Sequence, residues 1–145
     1  MQTTQKSPFD PWQEISDVLQ TVADLGPSLR AAGLPDDLGS LVVLRASQMN
    51  GCTYCVDMHV REGLAAGVPP DKLHRVAAWR HAPDFSPAER AALAWTEALT
   101  RIGAEADTSA ERAEVLRHFS HRQTSALAAT IAIINFWNRI NIARH

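Results

Sequence analysis

The chain has 145 residues, a formal net charge of −2 and a pI near 6.3. Apolar residues make up 46% and charged residues 21%, which excludes a disordered or low-complexity chain. There is no basic excess of the kind a nucleic-acid surface shows. The most apolar run, Ala126 to Trp137, is shorter than the ~20 residues that cross a bilayer.

A length of this order predicts one domain, 1–145, that folds without a disulfide framework. Ala (23) and Leu (13) outnumber Val (9) and Ile (7), a bias towards helix. The opening MQTTQKSPFDPW has no basic stretch followed by an apolar run, so no secretory signal is expected and a cytoplasmic location is.

In chain order, Asp10 and Pro11 form an N-cap and N1 pair that opens a first helix. Ile15, Val18, Leu19 and Val22 give it an apolar stripe, and Gly26-Pro27 ends it. A short segment runs to Gly33. The next helix is expected from Pro35 to Met49, with Leu38, Leu41, Val42 and Met49 inward, before a break at Asn50-Gly51. A further helix starts near Cys52 and stops near Gly67. Pro69-Pro70-Asp71 opens another, carrying Leu73, Val76, Ala77 and Trp79. Ser86-Pro87-Ala88-Glu89 is a capping box, so a helix is expected from Pro87 to about Ile102. Thr108 to Glu111 and Ser120 to Gln123 repeat that pattern, and the last helix runs from about Arg122 to Ile142. No stretch alternates with period two. The expectation is an all-α domain of six to eight helices. The last is apolar nearly all round, which predicts burial in its own core or against another copy of the chain.

The two cysteines, Cys52 and Cys55, carry the chemical signal. On a helix starting at Cys52, Cys52, Cys55 and His59 share one face. The first turn offers unpaired N–H groups and the positive end of the helix dipole, which lower thiol pKa values. His59 can move a proton near neutral pH, and Glu62, three residues on, can orient it. These parts suit a dithiol redox centre. Zinc would need further ligands at metal spacing, and none follows. Haem attachment needs His directly after the second Cys, where Val56 stands. His74, His81, His118, His121 and His145 read as surface or cap residues. Arg45 and Gln48 stand where they can reach the cysteines or serve as polar helix positions. Asn135, Trp137, Asn138, Arg139 and Asn141 read as a structural polar network or the lining of a pocket or interface.

The stretch Leu44-Arg45-Ala46-Ser47-Gln48-Met49-Asn50-Gly51-Cys52-Thr53-Tyr54-Cys55-Val56-Asp57-Met58-His59 resembles the core of the alkylhydroperoxidase D-like proteins, in the carboxymuconolactone decarboxylase superfamily. Ala78-Trp79-Arg80, Phe85-Ser86-Pro87, Glu89 to Trp95 and Asn135-Phe136-Trp137-Asn138-Arg139 extend the resemblance over roughly 38–143. It implies a helical fold assembled as dimers, trimers or hexamers. It further implies a peroxidase in which Cys55 attacks a hydroperoxide, Cys52 resolves and His59 relays protons; no cofactor or metal is expected. The implied reductant is a lipoyl-bearing or thioredoxin-like partner. The decarboxylase branch, acting on a small organic acid, does not rely on a Cys-x-x-Cys pair. A redox-responsive binding or switch oligomer is the further alternative. Two positions depart from the peroxidase pattern. Ser40 stands where a Glu is expected twelve residues before Cys52, and Tyr54 stands where a His is expected. Neither can act as an ionised acid or a ready base at neutral pH.

Overall fold

The computed structural model describes residues 9–145; the opening residues 1–8, read above for a targeting signal, lie outside them. Among the described residues the chain forms helices and no strand. These are α1 (Pro11–Glu14), α2 (Ser16–Ala23), α3 (Gly26–Ala31), α4 (Asp36–Asn50) and α5 (Thr53–Ala65). After them come α6 (Pro70–Arg75), a 3-10 helix (Val76–His81), α7 (Pro87–Thr100), α8 (Ser109–His118) and α9 (His121–Ile142). No helix among the described residues is long and apolar enough to cross a membrane.

Helix α4 is the central element and packs against α5, α7 and α9. Its register divides its apolar residues between two cores. Leu41 and Leu44 join Leu73, Val76, Trp79, Phe85 and Leu93 on one side. Leu38 and Val42 join Ala91, Ala92, Trp95, Val115, Leu127 and Ile131 on the other. Burying such side chains is worth roughly 1.5–3 kcal/mol each. Gly63 lets α5 approach α6, since a Cβ there would lie 2.8 Å from Leu73 Cδ2.

Local signals explain most boundaries. Ser86 and Glu89 close a capping box on α7, and Ser120 and Gln123 close one on α9. The box expected at Thr108 does not form; Asp107 accepts from Ser109 N–H instead. The first predicted helix is divided at Ile15, whose backbone (φ −133°, ψ 41°) leaves the helical region. Of its apolar stripe, Leu19 is buried, Val22 is half-buried, and Ile15 and Val18 are exposed. The helix after Pro70 tightens into the 3-10 turn, which exposes Ala77. Arg90 of α7 holds the end of that turn by donating to the carbonyls of Trp79, Arg80, Ala82 and Phe85. Met49 is half-buried rather than inward. α9 is buried along Leu127, Ile131, Ile134 and Asn138, whereas Ala129, Ile133, Phe136 and Ile140 are half-buried and Ala132 is exposed. Its far face is therefore only partly covered by the described residues.

Between α4, the 3-10 helix and α7 lies a buried charge that the sequence reading did not single out. Glu97 is 2% exposed. Its Oε1 accepts from Arg45 Nε at 2.8 Å and from Trp79 Nε1 at 3.0 Å, and its Oε2 accepts from Arg80. Burial pushes this carboxyl up, but the donors from Arg80, Trp79 and Arg45 outweigh it and hold it below the ordinary carboxylate range. With the folded-state pKa depressed, the unfolded chain binds the proton more readily. The stabilisation is therefore present in full above the ordinary value of 4.5 and is lost as pH falls through the folded value. Thermal unfolding followed by circular dichroism should give a Tm that falls below that range. Glu97→Gln should flatten this acid-side slope and lower Tm at pH 7, since breaking a buried ion pair costs about 3–5 kcal/mol.

Candidate active site

The candidate site is built on the turn between α4 and α5. Gly51 adopts a left-handed conformation (φ 70°), which a residue with a Cβ adopts only with strain. Its N–H bonds Gln48 O at 3.2 Å and Cys52 N–H bonds Ser47 O at 3.1 Å, a Schellman arrangement that ends α4. Cys52 is then extended and stands as the N-cap of α5, so the helix starts beside Cys52 as expected. Its Sγ accepts from Cys55 N–H at 3.3 Å. Cys52 and Cys55 are joined as a disulfide with Cα atoms 5.3 Å apart. The helix N-terminus thus lies against the sulfurs, where it favours a thiolate.

His59 lies one turn beyond Cys55 on the buried face of α5. Its Nδ1 is 2.7 Å from Glu62 Oε2, which fixes the ring. Its Nε2 is buried and has no hydrogen-bond partner among the described residues. The opposite wall comes from α9. Asn141 Nδ2 donates to Cys55 Sγ at 3.7 Å and to Trp137 O at 3.0 Å. Asn50 Nδ2 donates to Asn135 Oδ1 and Asn138 Oδ1, each at 2.9 Å, and Asn138 Nδ2 donates to Ser47 Oγ at 3.0 Å. The amides near the end of α9 are thus a structural network tying it to the end of α4, with Asn141 reaching the sulfur.

Two openings flank this arrangement. A cavity of about 380 Å³ is lined by Gly51, Cys52, Thr53, Tyr54, Asn141, Ile142 and His145. Cys52 is 3% exposed there, while Cys55 beneath it is 0% exposed. Tyr54 is an exposed wall of this mouth. A second cavity of about 470 Å³, mostly apolar in lining, includes Ser40, Val43, Glu62, Ala66 and Arg30. Ser40 and Glu62 thus share one cavity, but Ser40 Oγ donates to Asp36 O within its own helix. Arg45 and Gln48 do not reach the cysteines; Arg45 bonds Glu97 and Gln48. Among the described residues no cluster of three or more His, Cys, Asp or Glu can hold a metal ion. Sequence reasoning left His145 among surface histidines and Asn141 among network amides, since their positions at the mouth depend on a contact between distant helices.

Residues 16–98 match the carboxymuconolactone decarboxylase family. The chain belongs to that family. This member is 36% identical over 103 residues to the uncharacterized protein YdfG of Bacillus subtilis, covering 71% of the chain and 70% of that protein. It is 36% identical over 104 residues to the uncharacterized protein YnjA of Escherichia coli, covering 72% of the chain but only 57% of that protein. Among solved structures, a protein of unknown function from Agrobacterium tumefaciens, proposed to be the antioxidant defence protein AhpD, superposes with a TM-score of 0.87. The identity there is 32%, with 96% of this chain and 95% of the other covered. The debrominase Bmp8 superposes with a TM-score of 0.79 at 26% identity, with 91% and 71% covered. The fold of this family member is accordingly AhpD-like.

The depth of the two sulfurs makes a measurable difference. In Cys55→Ser protein, Cys52 faces the mouth and should form a mixed disulfide with an aromatic disulfide reagent. In Cys52→Ser protein, Cys55 should react roughly ten-fold more slowly, because exchange depends on access as well as thiolate character. Equal rates, followed by release of the chromophore, would contradict this order.

Proposed function

We propose that the protein is a thiol-dependent peroxidase of the antioxidant type, acting on hydroperoxides in the cytoplasm. The observation that supports this best is the Cys52–Cys55 pair at a helix N-terminus with His59 held by Glu62. The Cys55 thiolate attacks the terminal oxygen of the hydroperoxide. The O–O bond breaks, Cys55 becomes a sulfenic acid, and the departing alkoxide takes a proton, with His59 Nε2 as the donor. The Cys52 thiol then attacks the Cys55 sulfur and expels water, forming the disulfide. A dithiol reductant, lipoyl-bearing or thioredoxin-like, enters at the mouth, attacks Cys52 Sγ and leaves both cysteines reduced and itself oxidised.

Glu62 takes the acidic role in this scheme. A residue at Ser40 would face the same cavity, but Glu62 already bonds His59 Nδ1. Peroxide consumption with dihydrolipoamide as reductant tests the reading. Cys55→Ser should abolish it. Glu62→Gln should slow it by ~10²-fold, the lower range for a positioned acid–base group. Ser40→Glu should change it less than Glu62→Gln does. No consumption by the wild type, with the disulfide still reversible, would favour a redox switch instead. Similarity to the debrominase Bmp8, also solved as a Cys-to-Ala variant with 2,3,4-tribromopyrrole, supports a second reading as a thiol enzyme on a small organic substrate.

The protein is further proposed to be a homo-oligomer. The stripe of Ala129, Ala132, Ile133, Phe136 and Ile140 on α9, only partly covered by the described residues, supports this. Light scattering at micromolar concentration should give a multiple of the 15.9 kDa chain mass, and a monomer mass would refute it.

A further inference from the structure

We propose that Asn141 is the hydrogen-bond donor that holds the Cys55 sulfur as a thiolate in the reduced protein. The inference rests on the reading of Cys52 and Cys55 as a reactive dithiol, and it assigns a role to a residue 86 positions from Cys55 in the chain. Asn141 is buried in the last turn of α9. Its Nδ2 carries two hydrogens. One goes to Trp137 O at 3.0 Å, one turn back on the same helix, and sets the plane of the amide. The other points at Cys55 Sγ at 3.7 Å. A buried amide N–H without a good acceptor costs free energy. A thiol or disulfide sulfur is a weak acceptor, whereas a thiolate is a strong one. The contact is therefore worth most in the charged, reduced state, so it lowers the pKa of Cys55.

The surroundings of Cys55 leave this donor a distinct part. On α5, His59 shares the buried face with Cys55 and is bound to Glu62, while the other titratable groups beside Cys55, Tyr54 and Asp57, are exposed. The end of α4 offers Ser47 and Asn50, which are uncharged and engaged with Val43 O and the α9 amides. On α9, Arg139 is turned to Asn135. His145 and Tyr54 stand at the mouth with Cys52. The N-terminal N–H of α5 that reaches a sulfur, that of Cys55, is bonded to Cys52. Cys52 thus has the helix cap and Cys55 has Asn141.

The test is the pH dependence of iodoacetamide labelling of Cys55 in reduced Cys52→Ser protein. Asn141→Leu keeps the side-chain size and removes the donor. It should raise the labelling midpoint by about one pH unit and slow labelling at pH 7 roughly ten-fold. Asn141→Asp places a carboxylate beside the sulfur and should raise the midpoint at least as far. An unchanged midpoint in folded Asn141→Leu protein overturns the assignment, and a purely structural role would lower Tm alone. Should Asn141→Leu fail to fold, the side-chain amide protons of Asn141 in the parent protein provide the reading by NMR. They should shift downfield with the midpoint of Cys55, and amide signals that ignore the thiol overturn the proposal. Loss of peroxide turnover in the wild type, with the midpoint shift present, would remove the peroxidase reading and leave this assignment standing. Turnover with no midpoint shift would do the reverse.

Discussion

The left-handed turn at Gly51 constrains everything around the sulfurs. It ends α4 with two backbone bonds and delivers the chain to Cys52 in an extended conformation, which makes a cysteine the N-cap of α5. The cap fixes where the helix starts, and the helix start fixes which face carries Cys55, His59 and Gly63. A Cβ at residue 51 would meet no neighbouring atom, so the demand for glycine is one of backbone conformation and not of space. The side chain just before the turn, Asn50, bonds two amides of α9. The same few residues therefore set both the local chemistry and the position of the far wall.

Helix α4 also takes part in two buried polar networks. Asn138 is 0% exposed and Glu97 nearly so. Each would be costly alone, and each is satisfied: Asn138 by Ser47 and Asn50, Glu97 by Arg45, Trp79 and Arg80. Both networks join α4 to a distant helix. Apolar contacts hold α4 between two cores but tolerate small slides, whereas hydrogen bonds are lost within fractions of an ångström. The polar networks thereby set the register in which α4, α7 and α9 meet. The stacking of Trp12 on Trp137 and the Arg144–Asp10 pair add a strap from α1 onto the end of α9, the end that carries Asn141.

The site separates access from proton handling. The mouth opens on Cys52, and the apolar cavity reaches Glu62, which bonds His59 one turn beyond Cys55 on α5. Ser40, where the resemblance leads one to expect an acid, is spent on a backbone carbonyl of its own helix. An acid one turn beyond His59 on the same helix needs no neighbouring helix to position it, since residues three apart face the same side. With Ser at residue 40, the imidazole still has an acidic partner in Glu62.

Much of this was legible in the chain itself. Capping boxes at Ser86 and Ser120, the Asn50-Gly51 break and the spacing of Cys55, His59 and Glu62 are local features, governed by interactions within a turn or two. The quoted motif stretch likewise carried the family. What the residues alone did not reveal are outcomes of contact between segments far apart in sequence. The spacing of Ile15, Val18, Leu19 and Val22 puts them on one stripe, yet Leu19 alone of the four is fully buried. Arg45 was free to choose between the cysteines and any buried acid, and the packing of α4 on α7 placed Glu97 within reach. Asn141 and His145 became neighbours of the cysteines only because α9 packs against α4 and α5. Periodicity tells which residues share a face, but only the tertiary arrangement decides what that face meets.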